Sequence, residues 1–192
     1  MPEMYHASDF HFGHDNEVIY KARGFHSAGE MDAAVMDSLY SVLRKGDTLI
    51  NYGDNAIEGT WQHGLEQMRA IKSIGVTLEL RIGNHDKIWP DKRDAARFFR
   101  EYADVFDNIQ LFTRAKQDGI NYIQSHTPYW PNDRHTARMQ QWRPADLGLP
   151  IVHGHTHSTE AHDWERHMHV GWDAWRRPVT HGEILDWLRT VK

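Results

Sequence analysis

The sequence predicts an α/β fold of layered sheet and helices. Three observations support this. Apolar runs of strand length recur along the chain, stretches of helical spacing separate several of them, and clusters of Asp, Asn and His follow the ends of the runs. The strand readings are Met4 to Ala7, Thr48 to Tyr52, Val76 to Ile82, Tyr122 to Gln124, Pro150 to Val152 and His167 to Val170. The clearest helix is Met31 to Leu43, which sets Met31, Ala34, Val35, Leu39 and Leu43 along one stripe. Trp61 to Ile74, Arg93 to Tyr102 and Glu183 to Val191 share that spacing.

At 192 residues, with neither repeat nor Gly/Ser linker, the chain reads as one domain over 1–192. A hydrophobic content of 40% is that of a globular protein. There are no cysteines, which excludes disulfides, thiolate metal sites and a cysteine nucleophile, so any metal ligand must be oxygen or nitrogen. The start, Met1 to His6, lacks a basic region followed by an apolar stretch, and no apolar run approaches membrane-spanning length. A soluble, cytoplasmic protein with no membrane partner is therefore expected. The formal net charge of −5 lacks the basic footprint of an extended nucleic-acid binder. The composition is most unusual in its 15 histidines, scattered internally rather than gathered in a tag.

The polar clusters place those histidines. Asp9-Phe10-His11 follows the first strand, and a spacing of two on extended chain turns both side chains to one side. Gly53-Asp54 follows the second, where glycine permits a tight turn. Gly83-Asn84-His85-Asp86 follows the third, His126 the fourth and Gly154-His155-Thr156-His157 the fifth. Each piece has an ordinary reading when taken alone: a surface Asp, a turn, a packed histidine. In open α/β sheets, however, ligands bind beyond the carboxyl ends of the strands, so motifs placed there can converge.

Taken in order, D-x-H, G-D, G-N-H-D, a lone His and G-H-T-H resemble the calcineurin-like metallophosphoesterase family, and the match spans residues 9 to 157. Ser8 through His14, with Arg23, Phe25, Met31 and Asp32, further resembles its small bacterial and phage branch. The resemblance implies a four-layer α/β/β/α sandwich, with two packed mixed sheets flanked by helices. It also implies two divalent metal ions, manganese first, with iron, zinc, cobalt or nickel as alternatives. One ion would take Asp9, His11, Asp54 and His157, and the other Asp54, Asn84, His126 and His155, so that Asp54 bridges. The implied reaction is hydrolysis of a phosphomonoester or phosphodiester by a hydroxide generated at the dinuclear centre. His85 would stabilise the phosphoryl oxygens or protonate the leaving alkoxide, and Asp86 would orient the His85 ring or cap a helix.

The expected partner is a small phosphate ester or nucleotide. Asn84, His14, Arg23 and Arg134 are the candidate substrate contacts, because imidazole, amide and guanidinium groups donate to phosphate. The segment from Tyr129 to Pro144 reads as a long insertion, with Trp130, Arg134 and Trp142 rimming the pocket or else covering the edge of the core. His162, His167, His169 and His181 form a second histidine tract with no ligand spacing. His167 and His169 read as one strand face, and His153 reads as a packed histidine or a partner to the ligands. The alternative functions are a catalytically silent scaffold on the same fold and a nuclease acting on short nucleic acid.

Overall fold

The computed structural model describes residues 1–129, 139–162 and 164–191. In chain order the elements begin with β1 (Met4–Ala7), α1 (Glu17–Ala22), α2 (Ala28–Val42), β2 (Thr48–Asn51), α3 (Trp61–Ser73) and β3 (Thr77–Arg81). A 3₁₀ turn at Ala95–Phe98 leads into α4 (Phe99–Ala103), β4 (Asn108–Gln110), β5 (Phe112–Gln117) and β6 (Ile120–Ser125). After a 3₁₀ turn at Gln140–Trp142 come β7 (Ile151–His153), β8 (His167–His169), α5 (Trp172–Trp175), β9 (Val179–Thr180) and α6 (His181–Thr190). The strands form two mixed sheets flanked by helices. A five-stranded sheet has the order β4-β3-β2-β1-β9, with only β9 antiparallel, and a four-stranded sheet has the order β5-β6-β7-β8, with only β5 antiparallel. Among the described residues no helix is long and apolar enough to cross a membrane.

Alternation along the strands sorts the core into two layers. Tyr5, Ala7, Leu49, Leu78 and Leu80 pack with Val35 and Leu39 of α2 and with Leu65, Met68 and Ile71 of α3. The intervening Ile50, together with Tyr52 and Val179, packs with Tyr122, Val152 and Met168 of the second sheet and with Ile184, Trp187 and Leu188 of α6. A fully buried leucine such as Leu39 or Leu78 contributes about 1.5–3 kcal/mol to such a layer. Polar side chains also lie between the sheets, and they are paired. Arg81 donates to Glu79 Oε2 and to Gln124 Oε1 of β6, at 2.8 and 2.6 Å. His6 joins the Tyr52 hydroxyl and His181 Nδ1, each at 3.0 Å.

Two of the three longest helices, α2 and α6, carry their own start signals, whereas α3 has no side-chain cap. The Ser27 side chain accepts from Glu30 N at the head of α2, and a Thr180/Glu183 capping box opens α6. The structure adds β4, β5 and β9 to the strands expected from the sequence. β4 and β9 are too short to show a period, and β5 is a largely exposed edge strand without an apolar face. The helix expected over Arg93 to Tyr102 is split into the 3₁₀ turn and α4. Glu17–Ala22 and Trp172–Trp175 are short additional helices.

In-register pairing brings the ligand loops together. Ala7 lies opposite Asn51, which lies opposite Leu80, so the loops after β1, β2 and β3 leave the sheet side by side. The second sheet meets them through His126, whose Nδ1 lies 2.6 Å from Tyr52 O, and through the Ser8–Gly171 bridge. Gly53 permits a close approach of two turns, since it holds φ +82° and an added Cβ would lie 2.6 Å from Gly83 Cα. Gly53→Ala is therefore expected to cost at least about 2 kcal/mol in urea unfolding followed by tryptophan fluorescence. A loss below about 0.5 kcal/mol would mean that the two turns are not locked together.

Candidate metal centre

Local pairing shapes each ligand loop. Asp9 N and His11 N donate to Gly53 O and Asp54 O, both at 3.1 Å, so the D-x-H loop runs along the G-D loop as a continued ladder. The G-D turn is closed by Asn51, whose Oδ1 accepts from Gly53 N at 2.8 Å while its amide exchanges hydrogen bonds with Asn55. Asp9, His11, Asp54, His155 and His157 all occupy the left-handed region, with φ of 60°, 54°, 53°, 72° and 51°. Non-glycine residues are uncommon there, and such conformations persist only where the surroundings impose them. Five of the seven sequence-predicted metal ligands therefore hold strained backbone, which no spacing in the sequence announces.

Two overlapping ligand groups result, Asp9–His11–His157 and Asp9–Asp54–His126, with the donor atoms of each lying within 4.8 Å of one another. Asn84 Oδ1 lies 3.0 Å from His126 Nε2 and 2.7 Å from His155 Nδ1, which adds Asn84 and His155 to the second group. The structure thus brings together all seven sequence-predicted ligands. It differs from the expected arrangement in the shared residue: Asp9 belongs to both groups, whereas Asp54 belongs to the second alone.

The donor set fits divalent cations. His126 Nδ1 lies 2.6 Å from Tyr52 O and His157 Nδ1 lies 2.9 Å from Asp173 Oδ2, so each ring can spend its N–H outward and turn an Nε2 lone pair inward. His157 Nε2 then faces His11 Nε2 at 3.1 Å, and Asp9 Oδ1 is buried with no hydrogen-bond partner. Lone pairs aimed at one another in this way are stable only around positive charge.

Electrostatics within the protein show the same demand. Burial alone would lower the His126 pKa, but the Asp54 carboxylate outweighs it and raises the group to about 9. Burial likewise opposes ionisation of Asp54, yet His126 holds it well below the ordinary carboxylate range. Asp9 is held down in the same way, by His157 and His126 against burial. His11 is pushed well below the usual imidazole value by burial and by His157, which keeps it neutral and ready to donate a lone pair.

Around the ligands, the His85 N–H donates to Asp54 Oδ1 at 2.8 Å, while its ring, 45% exposed, stands 3.9 Å from Asp54 Oδ2. His85 is thus held by the ligand set and open to an incoming molecule. His14 lies beside it, its ring 5.5 Å from that of His11. Asp86 requires correction. Its carboxylate accepts from Gly83 N at 2.7 Å and from the Tyr102 hydroxyl at 3.5 Å, so it braces the G-N-H-D turn and neither orients the His85 ring nor caps a helix. Burial and then the Asp54 charge raise its pKa to about 7.

Arg23 is the second correction. Its guanidinium is buried and donates to Asp173 and to the Asp9 and Phe10 carbonyls, which leaves no fork for a phosphate. Arg134 and Trp130 lie outside the described residues. Trp142 packs, partly buried, against the larger of the two core clusters, so it covers the edge of the core. His153, His167 and His169 form a buried cluster on the second sheet's far face, with the His167 ring edge-on to His153 at 5.3 Å and the His169 ring tilted at 5.7 Å. Sequence patterns mark neither Asp173 nor the role of the Asp32 carboxylate, which accepts from Gly13 N at 3.0 Å and from His63 at 2.8 Å.

No family model matches the chain. It is 31% identical to the gene 66 protein of Mycobacterium phage L5 over 196 residues, covering 97% of this chain and 94% of that protein. It is 30% identical to the gene 66 protein of Mycobacterium phage D29 over 200 residues, covering 100% and 98%. The chain belongs to the gene 66 protein family. Among solved structures, a protein of unknown function from Aquifex aeolicus superposes with a TM-score of 0.68 at 21% identity, covering 97% of this chain and 100% of that one. That likeness shows a shared fold.

Before any cation binds, His126 carries a proton up to pH about 9, which an arriving cation must displace. Divalent-metal affinity should therefore rise with pH, by about tenfold per unit from this group alone, and level off above its pKa. Calorimetry in buffers of differing ionisation heat should report the released proton. Binding without proton release near neutrality would contradict this titration.

Proposed function

We propose that the chain is a metal-dependent phosphoesterase acting on a small phosphate ester or nucleotide. The observation that carries this reading is the convergence of Asp9, His11, Asp54, Asn84, His126, His155 and His157 from five loops, with His85 beside them and open to solvent. The ordered resemblance to the metallophosphoesterases supports it. Two divalent cations, manganese first for this mixed oxygen and nitrogen set, would supply Lewis-acid charge and an activated water for in-line displacement at phosphorus.

The remaining roles belong to the chain's own groups. The His85 backbone is pinned to Asp54, so its ring is held at a fixed distance from the ligand set while reaching outward. From there it can donate a hydrogen bond to a phosphoryl oxygen or a proton to the leaving alkoxide. His14, whose ring also stands beside that of His11, is placed to make a second contact of this kind. Asp86 and Tyr102 keep the turn that carries Asn84 and His85 closed.

Manganese-loaded protein should hydrolyse p-nitrophenyl phosphate or its bis ester. His85→Ala should lower kcat about 10²–10³-fold with metal content retained, and Asp54→Asn should abolish turnover by removing a ligand shared between the expected metal positions. Turnover that survives both substitutions would refute the mechanism. Stoichiometric metal binding without turnover across monoesters, diesters, nucleotides and short oligonucleotides would favour a silent scaffold.

A further inference from the structure

We infer that the Arg23–Asp173 ion pair builds one half of the metal centre, so that breaking it removes the ion held by His11 and His157 while the other ion stays. The inference rests on the dinuclear reading above and extends it to residues that touch no substrate.

The geometry is asymmetric. Asp173 Oδ2 lies 2.9 Å from His157 Nδ1, which fixes that ring and points its Nε2 at His11. The same carboxylate is gripped by Arg23, with Nε to Oδ1 at 2.9 Å and a terminal nitrogen to Oδ2 at 2.7 Å. The other ends of the guanidinium donate to Asp9 O at 2.8 Å and Phe10 O at 3.0 Å, the backbone of the D-x-H loop. One planar cation thus ties the loop bearing Asp9 and His11 to the acid that holds His157. Only a fork with several fixed donors can make these contacts together.

The pair is well shielded, with side chains only 2% and 13% exposed, so it is little weakened by solvent. Arg176 seals the arrangement by donating to Arg23 O at 3.0 Å, which seats the end of α5 on the loop after α1. The second group is oriented by other partners. Tyr52 O holds His126, and the His85 N–H holds Asp54. The two groups share Asp9, whose Oδ2 is held separately by His155 N at 3.0 Å. Loss of the ion pair therefore frees the His11 and His157 side and leaves the contacts of the other side in place. Asp173 and Arg23 are positioning residues.

The test is manganese titration of the full chain, read by calorimetry and by the electron paramagnetic resonance signal that distinguishes coupled from single ions. Wild type should bind two ions and show the coupled signal. Asp173→Ala should bind one ion at wild-type affinity and the second about 10–100-fold more weakly, with an uncoupled signal. Asp173→Glu should restore part of the second site. A lone buried guanidinium could unfold Asp173→Ala, so the double variant Arg23→Met with Asp173→Asn removes both charges together. It should show the same single-ion behaviour, with circular dichroism matching wild type. Two ions bound at wild-type affinity in the folded variants would overturn the inference, and so would simultaneous loss of both ions. A wild type that binds no manganese would instead overturn the dinuclear reading.

Discussion

Everything in this molecule depends on holding like-polarity atoms close together. Two carboxylates, an amide oxygen and imidazole lone pairs face one another in a space from which water is largely excluded. Such a set repels itself, and in the protein alone the strain is relieved by a proton on His126, held there by Asp54. A rigid frame is needed to keep the set from opening. The parallel strands supply it, because in-register neighbours deliver their following loops to one edge, and a second sheet delivers two more from the opposite side. The left-handed φ values at Asp9, His11, Asp54, His155 and His157 are the local cost of aiming side chains from consecutive turns at one point.

The layer between the sheets is unusual in being partly polar, and that polarity is used to fix Tyr52. Its hydroxyl is held by His6, which is held in turn by His181 at the start of α6, while its carbonyl accepts from Ser8 and His126. The residue that links β2 to the G-D turn is thereby anchored at both its polar ends. Burial drives the His6 pKa well below the imidazole norm, with the His181 charge next in weight, so the ring stays neutral and can donate from one nitrogen while accepting at the other. The Arg81, Glu79 and Gln124 network does similar work one strand away. These contacts set the relative position of the sheets, and with it the meeting of His126 and His155 with Asn84.

The α/β class and the cluster of candidate metal ligands were legible in the sequence because they have periodicity and motif. Alternation at Leu49/Ile50 and Leu78/Glu79 reads as a two-faced strand, and D-x-H or G-H-T-H after such a strand points at a shared edge. β4 and β9 were not legible, since three and two residues cannot display a period. Asp86 was misread because its neighbour His85 suggested a side-chain partner, whereas a buried carboxylate one residue past a turn is equally suited to bind the turn's own N–H. Asp173 was invisible for a different reason. It sits at the start of a four-residue helix far along the chain, and its meaning comes only from the spatial neighbours His157 and Arg23.

Arg23 carries the broader lesson about charge. Near a proposed phosphate site an arginine invites reading as a clamp, but a guanidinium buried this deeply must first satisfy its own donors, and Asp173 with two carbonyls does so. With that pair neutralised internally, the fixed charge facing the centre is that of Asp9 and Asp54. On the reading proposed above, two divalent cations on two carboxylates would leave an excess of positive charge, which suits an anionic ester without any help from arginine. The groups that would then meet the ester are imidazoles, His85 and His14, which donate hydrogen bonds whether neutral or charged. Such a site would recognise a phosphate by the charge of its metals and grip it only lightly with the protein.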